Sequence, residues 1–170
     1  MDDVARVVPS GWTEAGLRLF LLGATALELD GSAWAGTVHD HLGGRPPRVD
    51  LDAERRLGAV LREIATAGVA LASHDCSAGG LAQTLVDSCL RFGVGADVDL
   101  GGVCERDGID LATALFSESG ARAVVAVAPS DAETLSSACA ARGIIVTQIG
   151  TSSDRGDLRI DGVAPLSLAG

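Results

Sequence analysis

An α/β domain with a mixed sheet and packed helices is the fold that this sequence predicts. Short apolar runs alternate with helix-period segments from residue 17 to residue 149, as strands alternate with helices in a layered domain. The run Ala-Arg-Ala-Val-Val-Ala-Val-Ala at 121–128 has no Gly or Pro inside and little polar alternation, so it reads as a strand central in the sheet and covered on both faces. A length of 170 residues suits one domain, and residues 1–170 are read as one, with 1–16 as a lead-in segment.

Leu17–Leu22 (Leu-Arg-Leu-Phe-Leu-Leu) is a buried strand stopped by Gly23. Asp30-Gly31 signals a turn before a short helix at 32–36, and Gly43-Gly44 with Pro46-Pro47 makes 39–48 a loop. Asp50 caps a helix over 51–67, where Leu57, Val60, Leu61 and Ile64 recur at helical spacing and Gly68 ends the pattern. A strand follows at 69–73, then a Gly-rich turn, then a helix over 81–92 with Leu81, Leu85, Val86 and Cys89 as its apolar stripe. Alternation predicts a half-buried strand at 94–100, and Gly-Gly predicts a loop at 101–107. A helical turn covers 111–115. Beyond the strand at 121–128, Pro129 is a stop, and Ser130 with Glu133 forms a capping box for a helix to Arg142. A strand at 144–149 and a hairpin around Asp161-Gly162 complete the pattern.

Composition narrows the function classes. Hydrophobic residues reach 47 % and charged residues 21 %, a globular balance built on Ala, Val and Leu. A net charge of −10 argues against nucleic acid as a partner, because neutralising phosphates takes clustered Lys and Arg. No apolar run approaches the length that spans a membrane. Cys76, Cys89, Cys104 and Cys139 form no CxxC pair and read as buried thiols; with no signal peptide at the N-terminus, the expected compartment is the cytoplasm.

Two segments are candidate ligand sites. In Ser73–Leu81 a strand ends at His74-Asp75 and Gly79-Gly80 opens a helix, whose free N–H groups suit phosphate or carboxylate. Asp75 and Ser77 suit turn and cap roles equally well, and spacing leaves both open. His74 is the one candidate general base there, without a visible partner. The second segment is Ser117-Glu118-Ser119, where hydroxyls flank a carboxylate at a strand entrance; an ordinary Ser/Gly turn explains it as well. Gly150-Thr151-Ser152-Ser153 is a weaker phosphate-loop candidate, with Asp154 bringing the wrong charge. His39 and His41 lack the i, i+4 helical spacing of a zinc site, so no metal ligands and no catalytic residues are assigned.

Ser-His-Asp-Cys-Ser-Ala-Gly-Gly-Leu-Ala at 73–82 resembles the motif His-Asp-Val-Ser-Asp-Gly-Gly-Leu-Ala, and Leu-Phe-Ser-Glu-Ser at 115–119 resembles Phe-Ser-Glu-Ser-Gln. Both mark the C-terminal half of the aminoimidazole-ribonucleotide-synthetase-like superfamily, which implies that superfamily's C-terminal-domain fold. Phe20–Gly23, Leu29–Trp34, Leu42–Pro47 and Val49–Leu51 are similar to the last domain of the phosphoribosylformylglycinamidine synthase family's large subunit, over about Val7 to Gly170. Selenophosphate synthetase and thiamine-monophosphate kinase are rival members that lack the Leu-Gly-Gly-Arg-Pro-Pro segment.

The resemblance implies a ligase of purine biosynthesis. With ATP and magnesium it converts formylglycinamide ribonucleotide and glutamine-derived ammonia into the amidine. Its implied partners are upstream domains of the same subunit, a glutamine amidotransferase subunit and a small accessory subunit. The family's catalytic His, ATP-binding glycines and magnesium carboxylates lie upstream of the segments found here. The chain is therefore expected to be a fragment, inactive alone and without cofactor, with a final helix truncated after Leu168 and a tendency to form homodimers. Ala78 stands where the pattern has Asp or Glu, and Gly120 where it has Gln, so His74, Asp75, Ser77, Gly79, Gly80, Ser117, Glu118 and Ser119 are expected to form a vestigial site. An interaction module that buttresses its neighbours is the reading from a different class.

Overall fold

Leu19 and Leu21 face one side of the strand β1 (Arg18–Leu22) and Phe20 and Leu22 the other, and all four are buried. A strand with apolar groups on both faces needs cover on both. The computed structural model, which describes residues 7–168, supplies it with two helical layers. Burying each such side chain contributes about 1.5–3 kcal/mol.

The elements run β1, α1 (Ala33–His39), α2 (Leu51–Thr66), β2 (Ala72–Asp75), α3 (Gly80–Leu90), β3 (Gly95–Val98), α4 (Gly101–Asp107), α5 (Leu111–Phe116), β4 (Ala123–Val127), α6 (Ala132–Ala140), β5 (Val146–Ser153), β6 (Asp157–Ile160) and β7 (Leu166–Ser167). The sheet order is β2-β4-β1-β5-β3-β6-β7. All its pairings are antiparallel except β3 with β6, so the sheet is mixed, as predicted. On one face α3, α4 and α5 bring Leu81, Leu85, Val103 and Leu115 against Leu19, Leu21 and Val124. On the other, α2 and α6 bring Leu57, Val60, Ile64 and Leu135 against Phe20, Leu22 and Val125.

Asp50 caps α2 as the sequence predicts, its Oδ1 accepting from Asp52 N at 3.0 Å and Ala53 N at 2.9 Å. Residues 7–16 are more than a lead-in: Trp12 is buried in the core and donates Nε1–H to Val94 O. Residues 1–6 of the predicted lead-in, and the truncated helix expected after Leu168, lie outside the described residues.

Several expectations need correction. Residues 101–107 form α4 rather than a loop, because Asp99 Oδ1 takes the Gly101 N–H at 2.7 Å and Val103 is buried in the core. The Ser130/Glu133 capping box does not form; Pro129–Asp131 make a 3₁₀ turn, and α6 starts without a side-chain cap. The strand expected at 69–73 is Ala72–Asp75, drawn along by pairing with Ala123–Ala126. Gly150–Ser153 is not a loop but the end of β5, paired with Asp97, Val98 and their neighbours. Strand β4 is fully buried with both faces covered, yet it lies second in the order rather than at the middle.

Candidate functional site

Strand β2 carries His74 and Asp75 to the end of the sheet, where Cys76 N donates to Arg122 O at 3.1 Å. The chain then turns through Ser77 and Ala78 into two left-handed residues, Gly79 (φ 80°) and Gly80 (φ 64°). The two glycines answer different needs. A Cβ on Gly80 would stand 2.5 Å from Ser117 O and 2.7 Å from Leu115 O, whereas one on Gly79 would stand 2.7 Å from Gln83 Cβ, which the α3 backbone holds in place. Gly80 therefore lets the start of α3 lie directly against the backbone leaving α5.

That close approach brings the two motifs together. Glu118 Oε1 accepts from Gly79 N at 2.7 Å and from Ala33 N, the first residue of α1, at 2.8 Å. Its backbone N–H donates to Glu28 O. Ser117 Oγ donates to Ala26 O at 2.7 Å, and Ser119 Oγ accepts from Ala26 N at 3.0 Å. The segment Ser117–Ser119 is thus a clasp for residues 26–33, with its carboxylate engaged by the chain's own amides. Ala78 is exposed, and at Gly120 an added Cβ would stand 3.1 Å from Glu54 Oε1, which itself accepts from Ala121 N at 2.7 Å.

Not every candidate joins this centre. His74 Nδ1 lies 2.8 Å from Asp75 O and 3.4 Å from Asp75 Oδ1, so the pair engages itself. Asp75 and Ser77 are exposed, and neither side chain caps α3, whose cap residue is Gly79. The backbone carbonyls are used instead: Asp75 O accepts from Thr84 Oγ1 and Ser77 O from Gly80 N. The weaker candidates Ser152 and Ser153 are buried. Ser152 Oγ accepts from Leu17 N and donates to Glu14 O, which leaves no phosphate loop there.

Sequence reasoning missed Arg122. It is buried, and its Nε donates to Ser119 O at 2.9 Å, Nη1 to Thr25 Oγ1 at 3.0 Å and Nη2 to Ser117 O. Burial pulls its pKa down, opposed by the charges of neighbouring groups, Glu28 and Asp107 among them. Asp107 in turn accepts from Thr25 N at 2.8 Å and pairs with Arg106. Burial works against the Asp107 charge, but the hydrogen bonds from Arg106 and Thr25 outweigh it and hold the carboxyl below its ordinary range. A lone Arg inside the apolar run at 121–128 was the available signal.

Chemically, the centre is a set of satisfied hydrogen bonds rather than a nucleophile beside a base. Among the described residues no three His, Cys, Asp or Glu side chains are placed to hold a metal ion. The family resemblance places its magnesium carboxylates upstream of the segments found here, so no chemical step is derived through that metal.

The family model described as "AIR synthase related protein, C-terminal domain" matches residues 14–163. The chain belongs to this family. Among AIR synthase related C-terminal domains, the phosphoribosylformylglycinamidine synthase subunit PurL of Leifsonia xyli is 55 % identical over 152 residues, 89 % of this chain and 20 % of that protein. The same subunit of Renibacterium salmoninarum is 48 % identical over 168 residues, 98 % of this chain and 22 % of that protein. The chain spans about a fifth of the length of the curated relatives it matches. In fold it is similar to Thermotoga maritima PurL complexed with FGAR, with TM-score 0.85 at 21 % identity over 97 % of this chain and 29 % of that one.

Proposed function

We propose that this chain serves as the C-terminal domain of a phosphoribosylformylglycinamidine synthase synthetase subunit and supports ligation without performing it. In the complete enzyme, ATP and magnesium activate formylglycinamide ribonucleotide, and glutamine-derived ammonia gives the amidine. Upstream domains of the subunit, a glutamine amidotransferase subunit and a small accessory subunit are its partners, in the cytoplasm. Two findings support the reading. The relatives named for this subunit align with nearly the whole chain, and no described helix is long and apolar enough to cross a membrane.

The amide-engaged Glu118 carries the non-catalytic part of the proposal. A carboxylate that already accepts the Gly79 and Ala33 N–H groups occupies the positions a ligand anion would take at the start of α3. His74, Asp75, Ser77, Gly79, Gly80, Ser117, Glu118 and Ser119 are in this view remnants of a site, now used to hold segments together. The purified chain, given ATP, magnesium, formylglycinamide ribonucleotide and ammonia, is expected to form no amidine and to release no ADP above background. Steady ADP release that disappears in Asp75→Ala or Glu118→Ala would overturn the proposal.

One observation favours a buttressing role within that assembly. Leu27, Val38, Leu42, Val49 and Leu51 are all exposed, and all belong to the stretch between β1 and the first turn of α2. Exposed apolar side chains gathered in one segment suit a surface that a neighbour covers.

A further inference from the structure

The chain between β1 and α2 is held to the body differently from the rest of the fold. None of the side chains gathered in the two cores comes from residues 26–49. The buried side chains of this segment are small, Ser32 and Ala35, while Leu27, Val38, Leu42 and Val49 are exposed. What fastens it is polar. Among the described residues, every hydrogen bond that leaves 26–49 ends on Ser117, Glu118 or Ser119. Ala26 is held at both backbone groups, its N–H by Ser119 Oγ at 3.0 Å and its carbonyl by Ser117 Oγ at 2.7 Å. Glu28 O accepts the Glu118 N–H at 3.3 Å, and Ala33 N donates to the Glu118 carboxylate. Trp34 stacks on Phe116 across the same boundary, with ring centroids 6.1 Å apart.

Residues 26–49 also bind one another. Gly31 N donates to Gly43 O at 3.0 Å, His41 N to Ala35 O at 3.1 Å and Arg48 N to Glu28 Oε1 at 2.7 Å, so the outgoing and returning limbs are joined. Both ends are fixed by other means. Thr25 is buried, with its N–H on Asp107 Oδ2 and its Oγ1 accepting from Arg122, and Asp50 caps α2. A hydrogen bond exchanged against water contributes little net, whereas apolar burial is the dominant holding force. A segment with several of the first and almost none of the second belongs to the low-stability end of a fold, which opens before the rest. The bonds between its limbs make that opening collective.

We propose that residues 26–49 are a strap that releases from Ser117–Ser119 as one unit while both cores stay folded. Release uncovers the Ser117–Ser119 motif and leaves Glu118 with Gly79 N as its remaining amide partner. The strap rests on this chain's own contacts and not on the ligase reading. Native-state hydrogen exchange of the 170-residue chain in increasing urea is the test. The amides of Ala26, Gly31, Ala33, His41 and Arg48 should share one protection factor with little urea dependence. Those of Leu21 in β1 and Val125 in β4 should be protected at least about a hundredfold more, with the steep urea slope of global unfolding. The Glu118 amide, whose acceptor Glu28 O lies in the strap, should exchange with the strap and not with Leu115 of α5. Ser119→Ala removes the acceptor of the Ala26 N–H and should speed all of these strap amides by a common factor of about fivefold. Strap amides protected like those of β4, protection scattered among them, or acceleration confined to Ala26 would each overturn the strap. The wild-type exchange decides the question by itself where the variant does not fold.

Discussion

Glu118 Oε1 lies 2.7 Å from Gly79 N, so the carboxylate of one family motif closes on the glycine turn of the other. The same oxygen holds Ala33 N at 2.8 Å, which ties α1, α3 and the strand entrance to a single atom. Substitution of this one group tests whether the motifs now serve stability.

Glu118→Ala leaves two backbone donors without their acceptor, and hydrogen bonds to a charged group contribute about 1.5–3 kcal/mol each before solvent access is counted. Glu118 is half-buried and water reaches part of the site. The expected loss is therefore about 2 kcal/mol, read from urea midpoints. Glu118→Gln keeps an acceptor without the charge and should lose about half as much. Unchanged midpoints in both variants would show that the clasp contributes nothing.

Both adjacent glycines should resist substitution, Gly80 more than Gly79. Gly79→Ala costs about 1–2 kcal/mol for a left-handed residue and also brings its Cβ 2.7 Å from Gln83 Cβ, so the first turn of α3 must shift. Gly80→Ala carries the same backbone strain and also drives a Cβ onto the carbonyls of Ser117 and Leu115, so it should lose several kcal/mol or fail to fold. Equal unfolding midpoints for the two variants would contradict this account of the motif.

Much of this is legible in the sequence. The alternation of apolar runs gave β1, β4 and the helices α2 and α3, because those segments bury a continuous stripe and their period shows it. Segment 101–107 was not legible as a helix, since Gly101-Gly102 imitates a loop and only the packing of Val103 and the Asp99 acceptor decide otherwise. Registers were equally hidden: β2 slides to Ala72–Asp75 because of its partner β4, a choice written in neither strand alone. At the site, the motifs were visible but their orientation was not. Whether Glu118 faces a ligand or the chain's own amides depends on where Gly79 and Ala33 arrive. Arg122 lay in plain view within an apolar strand, and its role as the cation behind Ser117–Ser119 needed the fold.

Alkaline pH isolates the thiols, because the chain contains no Lys and no Tyr. Burial pushes Cys89 from the ordinary 9.0 up to about 12 and Cys139 up to about 11. In the unfolded chain these thiols ionise near the ordinary value, so above it the unfolded state binds fewer protons than the folded state. Stability from this source is complete below about pH 9 and is lost as pH rises through 11 to 12. Urea midpoints measured from pH 8 to 11 should fall, and Cys139→Ala should flatten part of the fall. A midpoint independent of pH over that range would rule the linkage out.

Self-association is the last expectation, and it tests the buttressing surface. Leu42 is 89 % exposed, Leu27 73 % and Leu51 70 %, within a stretch that also exposes Val38 and Val49. Domain contacts within a chain typically bury about 600–1,500 Å², and a monomer seldom leaves an apolar patch above several hundred Å² uncovered. A second copy is one available cover, and a two-fold dimer is the commonest closed arrangement. The net charge of −10 opposes the contact by repulsion, and salt screens that repulsion without weakening apolar attraction. Association should therefore strengthen as salt rises, the opposite of a contact built on ion pairs. It should weaken in Leu27→Ser/Leu42→Ser, whose exposed positions leave the core untouched. Sedimentation equilibrium across salt and protein concentration decides the question, and a chain that remains monomeric at every condition would sink the idea.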